Sequence, residues 1–150
     1  MTRDADPALS SPQPFRVPSG TKVLVVDDED LVRLVIGRTL RRSGFEVFEA
    51  HDGLDALQNM RFQRPDVVLS DLNMPRCNGE RLCSEMKGLP DLADVPVVLM
   101  TGGPTDEERM HAAGCRRVLY KPLPADLAEI LAAVMQPRHD TAPPLARRRA

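Results

Sequence analysis

Tryptophan is absent from this chain of 150 residues, and aromatic residues make up only 3% of it. A core built from this sequence must therefore be aliphatic. Cysteine is also scarce, and Cys77, Cys83 and Cys115 form no CxxC pair and are odd in number. This pattern argues against a disulfide framework or a zinc site and favours reduced thiols.

Long apolar runs are missing as well. No stretch approaches the ~20 apolar residues that span a membrane, and the N-terminus has no apolar segment typical of a secretory signal. We therefore expect a cytoplasmic protein without membrane contact. The formal net charge is −2, although residues 137–150 carry four arginines against one aspartate. The rest of the chain is thus acidic, which does not suggest nucleic-acid binding.

Composition divides the chain into three parts. Residues 1–20 contain four prolines and predict a disordered, Pro-rich leader, and residues 137–150 predict a disordered, Arg-rich tail. The length suits one domain, which we place at residues 21–136.

Within this domain, short apolar runs alternate with segments of helical periodicity. The predicted strands are residues 22–26, 45–49, 67–70, 97–100 and 117–120. The first helix is capped by Asp28 or Asp30 and stops at Gly44, and the later helices cover residues 53–63, 79–87, 105–113 and 124–135. Such alternation is typical of βαβ units and predicts an α/β fold, (βα)5, with a parallel sheet covered by helices on both faces.

Residues suited to phosphoryl chemistry follow four of these strands at their C-terminal ends. They are Asp27 with Asp28, then Asp71, Thr101 and Lys121. The carboxyl ends of parallel strands meet at one edge of a sheet, where ligands bind. A carboxylate can attack a phosphoryl group, and Mg²⁺ binds through one or two carboxylates together with phosphate oxygens and waters.

The chemistry assigns a part to each residue. Asp28 and Asp71 could hold Mg²⁺, with Asp27 one layer further out or acting through a water. Lys121 offers a compact positive charge to the phosphoryl oxygens, and Thr101 offers a hydroxyl. Each also has an ordinary role as a helix cap, turn residue or strand end. Their joint placement at strand ends favours the functional interpretation.

Four motifs together resemble the receiver domain of bacterial two-component response regulators, as in the chemotaxis regulator. They are VLVVDDE, SDLNMP with a glycine four residues further on, VVLMTG and LYKPL. The resemblance covers about residues 21–136, and the combination is specific although no single piece is. It implies the flavodoxin-like doubly wound sheet with strand order 2-1-3-4-5.

The resemblance also implies a role for each site residue. Asp71 would be the phosphoacceptor, and Lys121 would pair with the phosphoryl group. Thr101 would move to hydrogen-bond it. Mg²⁺ would be held by Asp28, Asp71 and the backbone carbonyl of Asn73, with Asp27 completing the acidic pair. Pro75 and Gly79 match the loop of the family after the phosphoacceptor, and the Lys121-Pro122 bond is expected to be cis.

Two positions depart from the family pattern. The family usually has an aromatic switch residue three positions before the lysine, where this chain has Val118. Tyr120 lies two residues further on and therefore points to the same face of the strand. We expect switching by loop and helix movement alone. Gly102 and Gly103 follow Thr101 where longer side chains often occur, which predicts easy water access and a labile phosphoryl group.

These features predict a stand-alone response regulator, because we see no output domain after the last helix. It would take a phosphoryl group from a sensor histidine kinase or a histidine phosphotransfer protein onto Asp71. It would not be an enzyme with a separate substrate, although it would promote its own phosphorylation and dephosphorylation. The last two helices and strand five would contact an unknown downstream protein.

Other classes remain as alternatives. An aspartate-nucleophile phosphohydrolase usually has a second acid two residues after the nucleophile, where this chain has the amide of Asn73. A docking-only receiver would lack the acid or the lysine. A flavin-binding relative would need a phosphate cradle where the first loop is acidic. A transcription factor would use the arginines of residues 147–149, which more simply form a solvated tail, so DNA binding is not expected.

Overall fold

The computed structural model describes residues 13–136, in which five strands alternate with five helices. The strands are β1 (Lys22–Val26), β2 (Glu46–Ala50), β3 (Val67–Asp71), β4 (Val97–Thr101) and β5 (Arg117–Tyr120). The helices are α1 (Asp30–Arg42), α2 (Gly53–Gln63), α3 (Gly79–Lys87), α4 (Glu107–Ala113) and α5 (Leu127–Met135). The predicted (βα)5 alternation is confirmed.

All strand pairs are parallel, and the sheet has the order β2-β1-β3-β4-β5. β3 lies at the centre, with Val68 beside Leu24 of β1 and Val97 of β4. Strand order therefore reverses between β1 and β3, and this is the flavodoxin-like arrangement predicted from the resemblance. Ligands of such sheets bind at the carboxyl ends of the strands, next to this reversal.

The continuous apolar strands serve two cores, one on each face of the sheet. Leu24 and Val26 pack against α2, α3 and α4 on one face. Val23 and Val25 pack against α1 and α5 on the other. Successive strand residues point to opposite faces, so a strand buried on both sides needs apolar residues at every position.

A glycine-based cap closes α1 and sets the start of β2. Gly44 adopts a φ of 93°, a conformation that glycine accepts without strain. Its amide donates to Arg41 at 3.0 Å, and the Phe45 amide donates to Leu40 at 3.2 Å. Because the helix cap uses the Phe45 amide, β2 runs from Glu46 to Ala50, one residue later than the predicted 45–49.

Three helix starts also differ from the prediction. α1 follows Glu29, whose side chain makes no capping hydrogen bond within residues 13–136. Asp30 pairs with Arg33, so the predicted cap at Asp28 or Asp30 was wrong. α4 begins at Glu107 instead of 105, because Asp106 caps it and accepts from the Arg109 amide at 3.1 Å. α5 begins at Leu127 instead of 124, because Asp126 is non-helical.

The boundary of the predicted leader needs correction. Val17 is buried, packs in the core beside α1 and α5, and donates its amide to Ser43 at 2.8 Å. Residues 13–20 are therefore attached to the domain, because an apolar side chain there covers the end of α1. The rest of the leader, residues 1–12, and the predicted tail, residues 137–150, lie outside the described residues.

Across residues 13–136, none of the helices combines the length and the apolar character needed to cross a membrane.

Gly79 allows α3 to approach the end of β3. A Cβ added there would lie 2.6 Å from the Asp71 carbonyl oxygen and 3.0 Å from the Leu72 Cα. Backbone atoms cannot move aside as a flexible side chain can, so we expect Gly79→Ala to lower the free energy of unfolding by about 1–3 kcal/mol. Urea denaturation would measure it.

Gly102→Ala is the matched control, because no atom of the described part of the chain lies within 4 Å of a Cβ added at that position. Its stability should stay within about 0.5 kcal/mol of the wild type. Equal unfolding midpoints for the two variants would contradict the argument from close approach.

Candidate functional site

The carboxyl edge of the sheet brings together most of the predicted site residues. Asp71 is the last residue of β3, Asp27 follows β1, and Lys121 follows β5. One carboxylate oxygen each from Asp27, Asp28 and Asp71 lies within 4.8 Å of the others. Residues far apart in sequence thus form one acidic cluster, because parallel strands end on the same side of the sheet.

Asp27 holds a fully buried carboxylate. Its Oδ1 accepts a hydrogen bond from the Glu29 amide at 2.9 Å. Its Oδ2 is buried and has no hydrogen-bond partner within residues 13–136, and the Lys121 Nζ lies 3.6 Å from it. A buried carboxylate oxygen without a donor is costly, so this atom is suited to a cation or to a water bound by one.

Asp71 shares this environment. Burial is the main influence on its carboxyl and the charge of Asp27 the next, and together they raise the pKa of Asp71. Lys121, whose Nζ lies 3.5 Å from Oδ1, and the Asn73 amide oppose that rise without cancelling it. One ammonium therefore serves two buried carboxylates and does not compensate both.

The acidic cluster fits a divalent cation on this geometry. Asp28 is exposed and turns a carboxylate oxygen toward the same point as its two buried neighbours. Three carboxylates within reach of one point, with an unpartnered oxygen among them, would be relieved by added positive charge. Hard oxygen ligands suit Mg²⁺. Asn73 lies two residues beyond Asp71, and its role as a carbonyl ligand stays a prediction.

Thr101 is placed differently from the acidic cluster. It ends β4 and is buried, but its hydroxyl donates to the Gly103 carbonyl at 3.2 Å and accepts from the Gly103 amide at 3.3 Å. Its hydroxyl is thus bound to the loop that follows β4. The expected movement of Thr101 toward a phosphoryl group would require these two bonds to break, and that role stays a prediction.

The structure separates the two residues discussed as switch positions. Val118 is buried in the core beside α2, α3 and α4. Tyr120 is 42% exposed, and its hydroxyl donates to Glu107 Oε2 at 2.6 Å. Because Glu107 accepts a hydrogen bond from the protonated hydroxyl, it raises the pKa of Tyr120. Tyr120 therefore joins the end of β5 to the first turn of α4 at the surface.

The Lys121-Pro122 bond is cis, as expected.

Asp52 and Arg76, which none of the sequence motifs indicated, form an ion pair between the loops that follow β2 and β3. Asp52 is buried and caps α2 by accepting from the Asp55 amide at 2.8 Å. The Asp-Gly pair before an apolar helix is a recognisable capping signal. Arg76 carries no such signal, because a charged residue in a loop is ordinarily solvated.

Comparisons with known proteins agree with this geometry. The family model described as "Response regulator receiver domain" matches residues 23–135. "Response regulator MprA" of Mycobacterium tuberculosis is 36% identical over 111 residues, which are 74% of this chain and 47% of that protein. The Mycobacterium avium protein of the same name is 35% identical over 111 residues, which are 74% of this chain and 48% of that one. The chain thus spans about half the length of the curated relatives that it matches.

Solved structures are similar over more of their length. The chemotaxis protein CheY4 of Vibrio cholerae has a TM-score of 0.71 and 32% identity, covering 76% of this chain and 98% of that one. The receiver domain of the sensor histidine kinase PA1611 of Pseudomonas aeruginosa has a TM-score of 0.71 and 28% identity, and the match covers 78% of this chain and 98% of that one. That structure holds a magnesium ion coordinated in its active site cleft.

The raised pKa of Asp71 predicts a pH-dependent cost to stability without metal. Above the ordinary pKa of 3.8, the folded protein holds the Asp71 proton more tightly than the unfolded chain. Stability is therefore lost as the pH rises from 3.8 through the raised pKa. We expect Asp71→Asn to increase the free energy of unfolding at pH 7 in EDTA, and the gain to shrink as the pH falls through the raised pKa toward 3.8.

Urea denaturation in EDTA between pH 3.5 and pH 7 would test this expectation. Asp91→Asn, at an exposed aspartate outside the acidic cluster, is the control and should change stability by less than about 0.5 kcal/mol. A gain for Asp71→Asn that is equal at every pH would contradict the electrostatic explanation.

Proposed function

The chain belongs to the response regulator receiver family of two-component systems, and from that premise we propose that Asp71 accepts a phosphoryl group with the help of Mg²⁺. The observation that carries the proposal is Asp27 Oδ2, which has no hydrogen-bond partner in residues 13–136 and lies in the cluster with Asp28 and Asp71. The single Lys121 ammonium lies 3.5–3.6 Å from two of these three carboxylates. A cluster with excess negative charge is suited to a divalent cation.

Four groups would hold the cation. Asp28, Asp71 and the backbone carbonyl of Asn73 would bind it directly. Asp27 would bind it through a water or would hydrogen-bond one of its ligands. When bound, Mg²⁺ supplies charge neutralisation for the attacking carboxylate and for the oxygens of the phosphoryl group.

The transfer itself needs little from the protein beyond positioning. An Asp71 carboxylate oxygen forms a bond to phosphorus, and the bond from phosphorus to the donor nitrogen or oxygen breaks, with its electron pair leaving on the donor. Lys121 is near enough to Asp71 to face the phosphoryl oxygens after transfer. Its flexible ammonium is suited to this, since it can leave the Asp27 carboxylate once other charge is present.

The phosphoryl charge would then act on the loop of residues 102–106 and on α4. Thr101 would exchange its bonds with Gly103 for one to the phosphoryl group. Val118 is packed in the core, which supports a switch that works through the loop and helix without an aromatic rotation. The bond from Tyr120 to Glu107 would carry such a movement to the surface of α4, β5 and α5.

The partners and class of the protein follow from the same proposal. The phosphodonor would be a sensor histidine kinase, a histidine phosphotransfer protein or a small acyl phosphate, and the downstream protein is unknown. The chain would promote its own phosphorylation and dephosphorylation and would have no separate substrate. The stand-alone state, the cytoplasmic location and the absence of DNA binding stay predictions.

Intact mass after incubation with acetyl phosphate and Mg²⁺ is the direct test. The wild type should gain one phosphoryl group, and Asp71→Asn should gain none, because the variant lacks the nucleophilic oxygen. EDTA should abolish the gain in the wild type. Phosphate esters should not be turned over, because Asn73 cannot act as the second acid of a phosphohydrolase.

An unmodified wild type, together with no response to beryllofluoride, would contradict the proposal. The docking-only receiver would then replace it. A phosphoryl group gained equally by wild type and Asp71→Asn would instead place the acceptor elsewhere in the chain.

The lifetime of the phosphoryl group should depend on position 103. Among residues 13–136, no atom lies within 4 Å of a Cβ built on Gly102 or Gly103, so the loop after Thr101 leaves room for water. We expect Gly103→Glu to slow the decay of the phosphorylated protein several-fold, because a longer side chain there would cover the phosphoryl group. Decay followed by intact mass would measure it. Gly103→Ala is the control with little cover, and equal decay in all three proteins would contradict this expectation.

A further inference from the structure

We propose that Arg76 is a positioning residue for the metal site, acting through its ion pair with the buried Asp52. This inference rests on the proposed function. Arg76 belongs to the loop of residues 72–78, which connects β3 to α3 and carries Asn73. Asp52 belongs to a different loop, between β2 and α2. The pair therefore ties the loop that follows the phosphoacceptor to a neighbouring part of the fold.

Asp52 is built to hold the guanidinium. Its side chain is 4% exposed, and it accepts from Arg76 Nε at 2.9 Å, from a second guanidinium nitrogen and from the Asp55 amide at 2.8 Å. His51 Nδ1 lies 3.2 Å from Oδ2. Burial alone would raise the pKa of Asp52, but the Asp55 amide, Arg76 and His51 outweigh it and lower the pKa. The buried carboxylate is thus ionised, and Arg76, whose side chain is 57% exposed, shares its compensation with the Asp55 amide and His51.

The backbone of Arg76 supports a specific role for this side chain. Its φ of 66° lies in the left-handed region, which disfavours residues other than glycine. A loop that needed only this turn would be served best by glycine. Nε and a second guanidinium nitrogen of Arg76 both donate to the same oxygen, Asp52 Oδ2. This contact accounts for an arginine here, because the guanidinium places several N–H donors in one rigid plane.

Two other contacts hold the later part of the loop. The Gly53 amide donates to the Cys77 carbonyl at 3.1 Å, and a Cβ on Gly53 would lie 2.5 Å from Cys77 Sγ. The Gly79 amide donates to the Leu72 carbonyl at 2.9 Å. Between these contacts lie Asn73 and its neighbours, and Arg76 is the charged anchor of that stretch. Its ion pair is therefore positioned to fix the loop that carries the Asn73 carbonyl.

The expected consequence is a dependence of Mg²⁺ affinity on an ion pair that does not itself bind the metal. Residues that orient metal ligands commonly change affinity by about 10-fold or more when removed. Arg76→Gly is the sharpest variant, because glycine suits the φ of 66° and only the side chain is lost. Arg64→Gly is the matched control, since Arg64 also has a positive φ, 49°, but no ion pair within residues 13–136.

The experiment is a titration of the whole chain with Mg²⁺ alone, followed by amide NMR shifts without any phosphodonor. We expect Arg76→Gly to weaken Mg²⁺ binding by about 10-fold and to shift the Asn73 amide in the metal-free protein. Arg64→Gly should match the wild type in both. Asp52→Asn should weaken binding as Arg76→Gly does, and the double variant should show no further loss, because the two side chains act as a pair.

Equal Mg²⁺ affinities for the wild type and Arg76→Gly would overturn the role of Arg76 while leaving the proposed function intact. Losses that multiply in the double variant would also overturn it, because independent effects do not come from one pair. A wild type that does not bind Mg²⁺ would overturn the proposed function and this inference with it.

Discussion

Two buried carboxylates sharing one ammonium are the constraint on which the rest of this structure depends. Asp27 and Asp71 lie 3.6 and 3.5 Å from the Lys121 Nζ, and the exposed Asp28 adds a third negative charge to the same point. Like charges held together in a buried place cost free energy. The rest of the fold must therefore supply the compensating stability, and a cation bound at the site would reduce the repulsion between the carboxylates.

The aliphatic sheet supplies that stability. β1, β3 and β4 are buried along nearly their whole length. Their alternate residues pack into two separate cores, one on each face of the sheet. Because the strands are parallel and β3 is central, the acidic residues meet at one edge without interrupting either core. The interior needs no aromatic residue in these strands, since Val, Leu and Met fill both faces.

The loops that follow β2 and β3 are held by backbone contacts and by an ion pair. Gly53 and Gly79 allow neighbouring segments to approach more closely than a Cβ would permit, while Arg76 and Asp52 join two loops across the edge. The loop after Thr101 is different, since a Cβ added at Gly102 or Gly103 would meet open space among the described residues. The site thus combines a fixed side, which carries Asn73, with an open side next to α4.

The sequence by itself determined the alternation of strands and helices, the helix stop at Gly44 and the residues at the strand ends, because these follow from local periodicity and turn chemistry. Only the tertiary structure decided that Asp27 Oδ2 has no donor among residues 13–136, that Thr101 binds Gly103 and that Arg76 pairs with Asp52. Each of those facts depends on the distance between segments distant in sequence or on the exact path of a loop. Neither periodicity nor residue type encodes such distances, and packing of the whole domain fixes them.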